Sequence, residues 1–501
     1  MDSLPDDCLI QVLQRLPLGE RLRLEGRVCK RWQRTFPYHD VTRFELHRLN
    51  WPCKRNVRQL EFTLESVTYT QPVLSARWLW LYLKPILERV GPYLQEVLLS
   101  NHAEFRPLLS LDFLTSVVDS CPRLRLLDLS YTLIAANALD ALKDLRNLTR
   151  LDLAGCRFFD AAFERPTTDF ATVQYSLEAL LSSCARLTEL CCSRLPFDLG
   201  FSSSLRSCSL RRLDVSASAY VSPASLRRLP TVCSQLVHLN IGSCLLATED
   251  AIATCVRQAT QGRIAPTILY LLVLNPSLRS LWLNGLSCVT NALLADVCSL
   301  APHLEALRVD DCLNLTDFTA LKRLTRLKTL WAGPGPGFND CSLAKLVRHG
   351  ALVNLMCAGT AVTDAGLIYA AKKCTGLRAV SCANTPITDA AVQTLLENCP
   401  DLQLLNVQTC QLTNAVLLSL GRDGRRVRQA YFQGCHKLDG EGFVLLHAGR
   451  LLLEAECRSG LEVVASARNV PSSEAAALTR HLKEVDVQLS FQRELLALTS
   501  A

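Results

Sequence analysis

Two groups of residues in this chain have types and spacing that could do chemistry. The first is its 23 cysteines. A thiol can bridge, ligate zinc or attack an electrophile, and each role demands a particular setting. Cys121, Cys184, Cys233, Cys374 and Cys399 each precede by three residues the apolar opener of a Leu-x-x-Leu-x-apolar segment. Cys156, Cys244, Cys312, Cys410 and Cys435 each follow such an opener by eight. No Cys-x-x-Cys occurs. Fixed phases without ligand spacing predict small buried residues that pack as hydrophobes, not disulfides or a metal site. The second group is Trp282, Arg308, Trp331 and Met356, which share one phase of the same pattern. Trp and Arg side chains are the most enriched at interface hot spots, so this set predicts either a binding anchor or large side chains tolerated on an open face or packed against the Gly333–Gly337 loop. Asp310 and Asp311 lie close enough in sequence to add polar discrimination, and Tyr431 falls on the same phase further along. No phosphate loop, metal-spaced cluster or nucleophile elbow appears, and the nine histidines are scattered. No catalytic residue, metal or cofactor is expected, and the chain reads as a non-enzyme.

The element that must position these residues is a repeat. Openers at Leu327, Leu352, Leu377, Leu402, Val427 and Leu452 come at intervals of 25. The same frame extends upstream with looser spacing through Val57, Leu94, Leu124, Leu148, Leu187, Leu210, Leu236, Leu278 and Leu304. Periods of this length are the mark of a solenoid. Within a unit, apolar residues at offsets 0, +3 and +5 predict a short strand. Thr363, Thr388 and Thr413 at +11 predict the cap of a following helix, since a hydroxyl accepts an orphan backbone N–H. Offsets +2, +4 and +6 then point to the concave side, where Trp282, Arg308, Trp331 and Met356 would form one row. Long steps predict insertions around 158–173 and 258–269, and Gly333-Pro-Gly-Pro-Gly337 marks a further irregularity. A helix near 474–482 and a strand from Leu482 to Val487 are expected to close the C-terminal end. The fold class is α/β, a curved parallel sheet inside and helices outside. The domain boundaries are 1–40 for an N-terminal helical module, 41–468 for the repeats, and 469–501 for a linker and cap.

A net charge of +7, spread over 501 residues, does not suggest a nucleic-acid face. No apolar run reaches the ~18 residues of a membrane span. Met1-Asp-Ser-Leu-Pro-Asp-Asp7 lacks the charge pattern of a secretory signal, and the final residues Leu498 to Ala501 carry no prenylation cysteine. Free thiols without a signal predict a reducing cytoplasmic or nuclear setting.

Leu4 and Pro5 open an N-terminal module in which Leu9, Val12, Leu13 and Leu16 form an i, i+3, i+4, i+7 stripe. Leu24, Val28 and Trp32 give a second helix an apolar face. So short a module cannot bury this surface alone. It must cap the first repeat or dock another protein. Leu4, Pro5, Asp7, Leu16, Val28, Cys29 and Trp32 resemble the F-box pattern. Joined to repeats of this kind, the whole chain resembles a leucine-rich-repeat F-box protein. The resemblance implies that Leu4, Pro5, Leu9, Leu13, Leu16, Leu24, Val28 and Trp32 face a Skp1-type adaptor and, through it, a cullin. It implies further that the repeats recruit an unidentified substrate protein for ubiquitination. A repeat scaffold with no ubiquitin role is the alternative.

Overall fold

The computed structural model describes residues 43–45, 57–64, 67–74, 84–100, 106–159, 170–195, 209–222, most of 225–244, 278–452, 460–466, 470 and 472–492. The N-terminal module and the second insertion lie outside these residues. Of the first insertion, 160–169 also lies outside them, whereas Arg157–Phe159 is a strand and Phe170–Ser183 a helix. The chain divides into two units, Met1–Ala247 and Thr248–Ala501.

In the first unit the parallel sheet runs through strands Arg43–Glu45, Glu96–Leu98, Leu126–Asp128, Arg150–Asp152, Glu189–Cys191, Arg212–Asp214 and His238–Asn240. All but the first sit two to four residues after an expected opener, from Leu94 to Leu236. The opener at Val57 is wrong. Val57–Leu64 pairs antiparallel with Val67–Leu74, in a second sheet that continues through Arg106–Leu109, Leu133–Ala135 and Arg157–Phe159. Alternating apolar residues fit a hairpin as well as a repeat strand, and pairing with the second sheet decided between them.

In the second unit the parallel strands are Ser280–Trp282, Ala306–Arg308, Thr329–Trp331, Asn354–Met356, Ala379–Ser381, Leu404–Asn406, Gln429–Tyr431, Leu461–Ser466 and Val487–Gln492. Offsets 0, +3 and +5, such as Leu377, Val380 and Cys382, are fully buried. Helices Asp364–Lys373, Asp389–Asn398, Ala415–Asp423 and Gly440–Leu451 follow the strands and line up beside one another, while helix Asn291–Leu300 lies beside the turn Thr319–Arg323. The expected opener at Leu452 fails. The preceding helix runs to Leu451, Leu452 is 72% exposed, and the strand comes at Leu461 instead. The closing helix spans Ser472–Lys483, so Ser472 and Ser473 are helix and not linker. The last strand starts only at Val487, while Leu482 ends in helix. The Gly-Pro stretch is part strand, with Gly335–Asn339 pairing Thr360–Ala361.

The threonines at +11 do more than cap. Thr363 does accept from Ala365 N, but Thr388 makes no cap bond. Its N–H and hydroxyl both donate to Asp364 of the preceding repeat, at 2.7 and 2.6 Å. The same rung joins Thr363 to Asp340 and Thr413 to Asp389. Asn414 and Asp439 are joined in a variant of it. Gly366 makes room for one rung, since a Cβ there would lie 2.2 Å from Asp340 Oδ1. Each carboxylate also sits at a helix N-terminus, where a negative charge is favourable.

The cysteines form a second ladder inside the core. The +8 thiols of Cys156, Cys244, Cys312, Cys410 and Cys435 donate to the +5 carbonyl of the preceding repeat, at 3.0 to 3.3 Å. Where +8 is threonine, as at Thr360 and Thr385, its hydroxyl reaches the +5 carbonyl of its own repeat. A weak donor that is otherwise apolar thus satisfies a buried backbone group. Every cysteine among the described residues is a free thiol, and no three His, Cys, Asp or Glu residues among them are grouped to hold a metal.

Candidate interaction surface

Parallel in-register pairing brings the +4 residues of the second unit into one row. Trp282 pairs with Arg308, Arg308 with Trp331, and Trp331 with Met356. The row continues through Ser381, Asn406 and Tyr431 to Val464. Strand neighbours sit about 4.8 Å apart. Trp282 and Trp331 flank the Arg308 strand, and their ring centroids are 5.8 Å apart at an interplanar angle of 57°. The Arg308 guanidinium carbon lies 5.6 Å from the Trp282 ring centre and 5.9 Å from that of Trp331. Both contacts are within cation–π range. Asp310 grips the same guanidinium through two bonds, Nε to Oδ1 at 2.8 Å and Nη2 to Oδ2 at 3.1 Å. That carboxylate holds Arg308 more firmly protonated than usual.

The expected site residues Trp282, Arg308, Asp310, Trp331 and Met356 therefore form one cluster. Tyr431 shares the row but stands apart, three strands beyond Met356, with Ser381 and Asn406 between. Asp311 is exposed at the turn, with φ of 58°, and among the described residues it makes no side-chain bond to Arg308. The arginine's charge is spoken for by Asp310, so the cluster offers an aromatic, apolar face more than a free cation. One donor in it is unspent. The indole Nε1 of Trp282 is buried without a hydrogen-bond partner. A buried donor without an acceptor costs about 1–3 kcal/mol.

The same row in the first unit has another use. Asp128, Asp152 and Asp214 accept backbone N–H bonds from Ser130, Ala154 and Ser216, so they close their own turns. Burial, with the neighbouring Asp128 charge as a lesser cause, pushes the Asp152 carboxyl up. Burial likewise pushes the Cys156 and Cys435 thiols up to about 12. They are protonated and poor nucleophiles at neutral pH.

The residues expected to face an adaptor, Leu4, Pro5, Leu9, Leu13, Leu16, Leu24, Val28 and Trp32, lie outside the described residues, but their segment has a match. Residues 1–36 match the F-box-like family. The chain carries an F-box-like segment ahead of leucine-rich repeats. Among solved structures it is similar to an internalin from Listeria monocytogenes, at 18% identity and a TM-score of 0.41. It is also similar to the complex of Rad7 and Elc1 in yeast, at 16% identity and a TM-score of 0.49. Each match covers 71% of this chain and 83% of the other. The repeat architecture stands on the strand pairing of this chain itself. Among the described residues no helix is long and apolar enough to cross a membrane.

Proposed function

We propose that this chain is a substrate-recognition subunit of a cullin–RING ubiquitin ligase. The F-box-like match at residues 1–36 carries the reading. In it, Leu4, Pro5, Leu9, Leu13, Leu16, Leu24, Val28 and Trp32 give a Skp1-type adaptor the apolar surface that so short a module cannot bury alone. The adaptor brings the cullin. The repeats hold the substrate protein, with Trp282, Arg308, Trp331 and Met356 as its anchor. The chain positions its substrate and supplies no catalytic group. The pre-stacked Trp–Arg–Trp cluster supports the anchor, because aromatic and Arg side chains already fixed in place lose little entropy on binding.

The test is co-purification of the full chain with a Skp1-type adaptor. Wild type should retain the adaptor. A Leu4→Ala, Pro5→Ala double variant should lose it while keeping the circular dichroism of the repeats. A wild-type chain that fails to retain the adaptor leaves the scaffold role in place of the ligase role.

A further inference from the structure

A second feature of the open strand face lies away from the tryptophans. The +1 residues form a regular lip, because the +1 carbonyls from Arg279 to Gln403 each accept two N–H groups at the start of the next strand, and that of Arg428 accepts one. At one end of this lip the charges close on themselves. Glu305 pairs with Arg279 at 3.7 Å and with Lys328 at 2.7 Å. Further along, the +1 residues are Arg378, Gln403 and Arg428, all exposed. Among the described residues neither guanidinium has an ion pair or side-chain hydrogen bond. They border a groove of about 930 Å³ whose apolar lining includes Ala379, Leu404, Leu461 and Val487. Glu462, Asp486 and Lys483 line its far side, and Glu462 accepts a bond from Gln429.

We propose that this groove binds an extended peptide through two anionic side chains, one on Arg378 and one on Arg428. The spacing sets the peptide's form. The two arginines stand two strands apart, about 10 Å. A polyproline II segment returns to the same side every three residues, a rise of about 9.3 Å. A β-strand would turn side chains three apart to opposite faces. The occupant is therefore a polyproline II-like stretch with acidic groups at i and i+3. Each guanidinium can take a carboxylate or a phosphate through two bonds. Apolar residues between the anions would face Leu404. The inference deepens the substrate reading given above, since it names a class of segment that the repeats recruit, but it does not depend on the adaptor.

The experiment is fluorescence anisotropy on the full chain, with labelled proline–alanine peptides as probes. One carries two glutamates three residues apart, one two phosphoserines at the same places, and one two glutamines. Binding of either anionic peptide, weakened by salt and absent for glutamine, is the expected result, and the tighter of the two identifies the source of the anion. Arg378→Gln and Arg428→Gln should each weaken it about tenfold, a charge-assisted bond being worth about that factor. Lys322→Gln, at an exposed position in the turn Thr319–Arg323, should leave it unchanged. Equal binding of the glutamine peptide, or undiminished binding by the double arginine variant, overturns the proposal. So does a single-stranded oligonucleotide that binds more tightly than either anionic peptide and loses as much to the arginine changes. Adaptor retention, measured on the same preparations, separates the two ideas. Adaptor without peptide sinks only the groove, and peptide without adaptor sinks only the ligase reading.

Discussion

Replacing Asp364 by alanine should open the structure at one definable amide. Asp364 accepts the Thr388 backbone N–H at 2.7 Å and its hydroxyl at 2.6 Å, and no other side chain among the described residues meets that N–H. Hydrogen bonds to a charged acceptor are worth about 1.5–3 kcal/mol each, and a part-buried site lets water recover some of that. A net loss of about 3 kcal/mol is expected, including the charge at the first turn of helix Asp364–Lys373. At about 1.4 kcal/mol per factor of ten, the Thr388 amide should exchange with deuterium about a hundredfold faster. Asp364→Asn keeps an acceptor for the N–H but loses the charge, a cost of about 1 kcal/mol and a several-fold acceleration. Hydrogen exchange read by mass spectrometry on peptides covering residue 388 resolves the series. If Thr388 in Asp364→Ala exchanges as slowly as in wild type, the rungs do not hold the repeats together.

Trp282→Ala with Trp331→Ala should cost about 2 kcal/mol or more of partner binding per residue, while adaptor retention persists. Quantitative comparison of captured proteins checks this, and an unchanged partner list would move the anchor elsewhere. Trp32→Ala should abolish adaptor co-purification, and its survival would count against the F-box docking mode. Under native conditions at neutral pH, an alkylating reagent should modify Cys341, which is exposed, well before Cys156 or Cys435, which react only on unfolding. Stoichiometric disulfides or bound zinc in a native mass spectrum would contradict this reading of the thiols. The same thiols make stability depend on alkaline pH. Their folded values, about 12 for Cys156 and Cys435, lie above the ordinary value of 9.0. The unfolded chain then releases protons first, so stability is intact below pH 9 and falls as pH rises toward 12. A urea midpoint that stays flat across that range would falsify the assignment of buried, neutral thiols.

Much of the repeat was legible because its signal is local. Openers from Leu94 to Val427 each placed a strand correctly, since offsets 0, +3 and +5 must all be apolar to bury one strand edge. Leu452 misled because the end of a helix and the start of a repeat are both leucine-rich there. Only packing shows that the helix continues to Leu451. Val57 misled because a hairpin and a repeat strand share the same alternation. The Trp–Arg–Trp row was legible, as fixed register carries one offset straight across the sheet. The grip of Asp310 on Arg308 was only half visible, because side-chain geometry decides whether a nearby acid adds discrimination or neutralises the base. The Arg378 and Arg428 groove was missed for a plainer reason. Its residues sit at offset +1, and nothing in the sequence says which charges find partners.

The Asp–Thr rungs also act as a gauge on chain length. Each spans 23 or 24 residues, from Asp340 to Thr363, Asp364 to Thr388 and Asp389 to Thr413. An inserted or deleted residue between the two partners would pull a carboxylate off its threonine. Over this stretch the openers keep to intervals of 25 from Leu327 to Val427, whereas intervals reach 39 and 42 where the insertions lie upstream. Indels should therefore be poorly tolerated between Asp340 and Asp439, and grafted loops are best placed before Leu278.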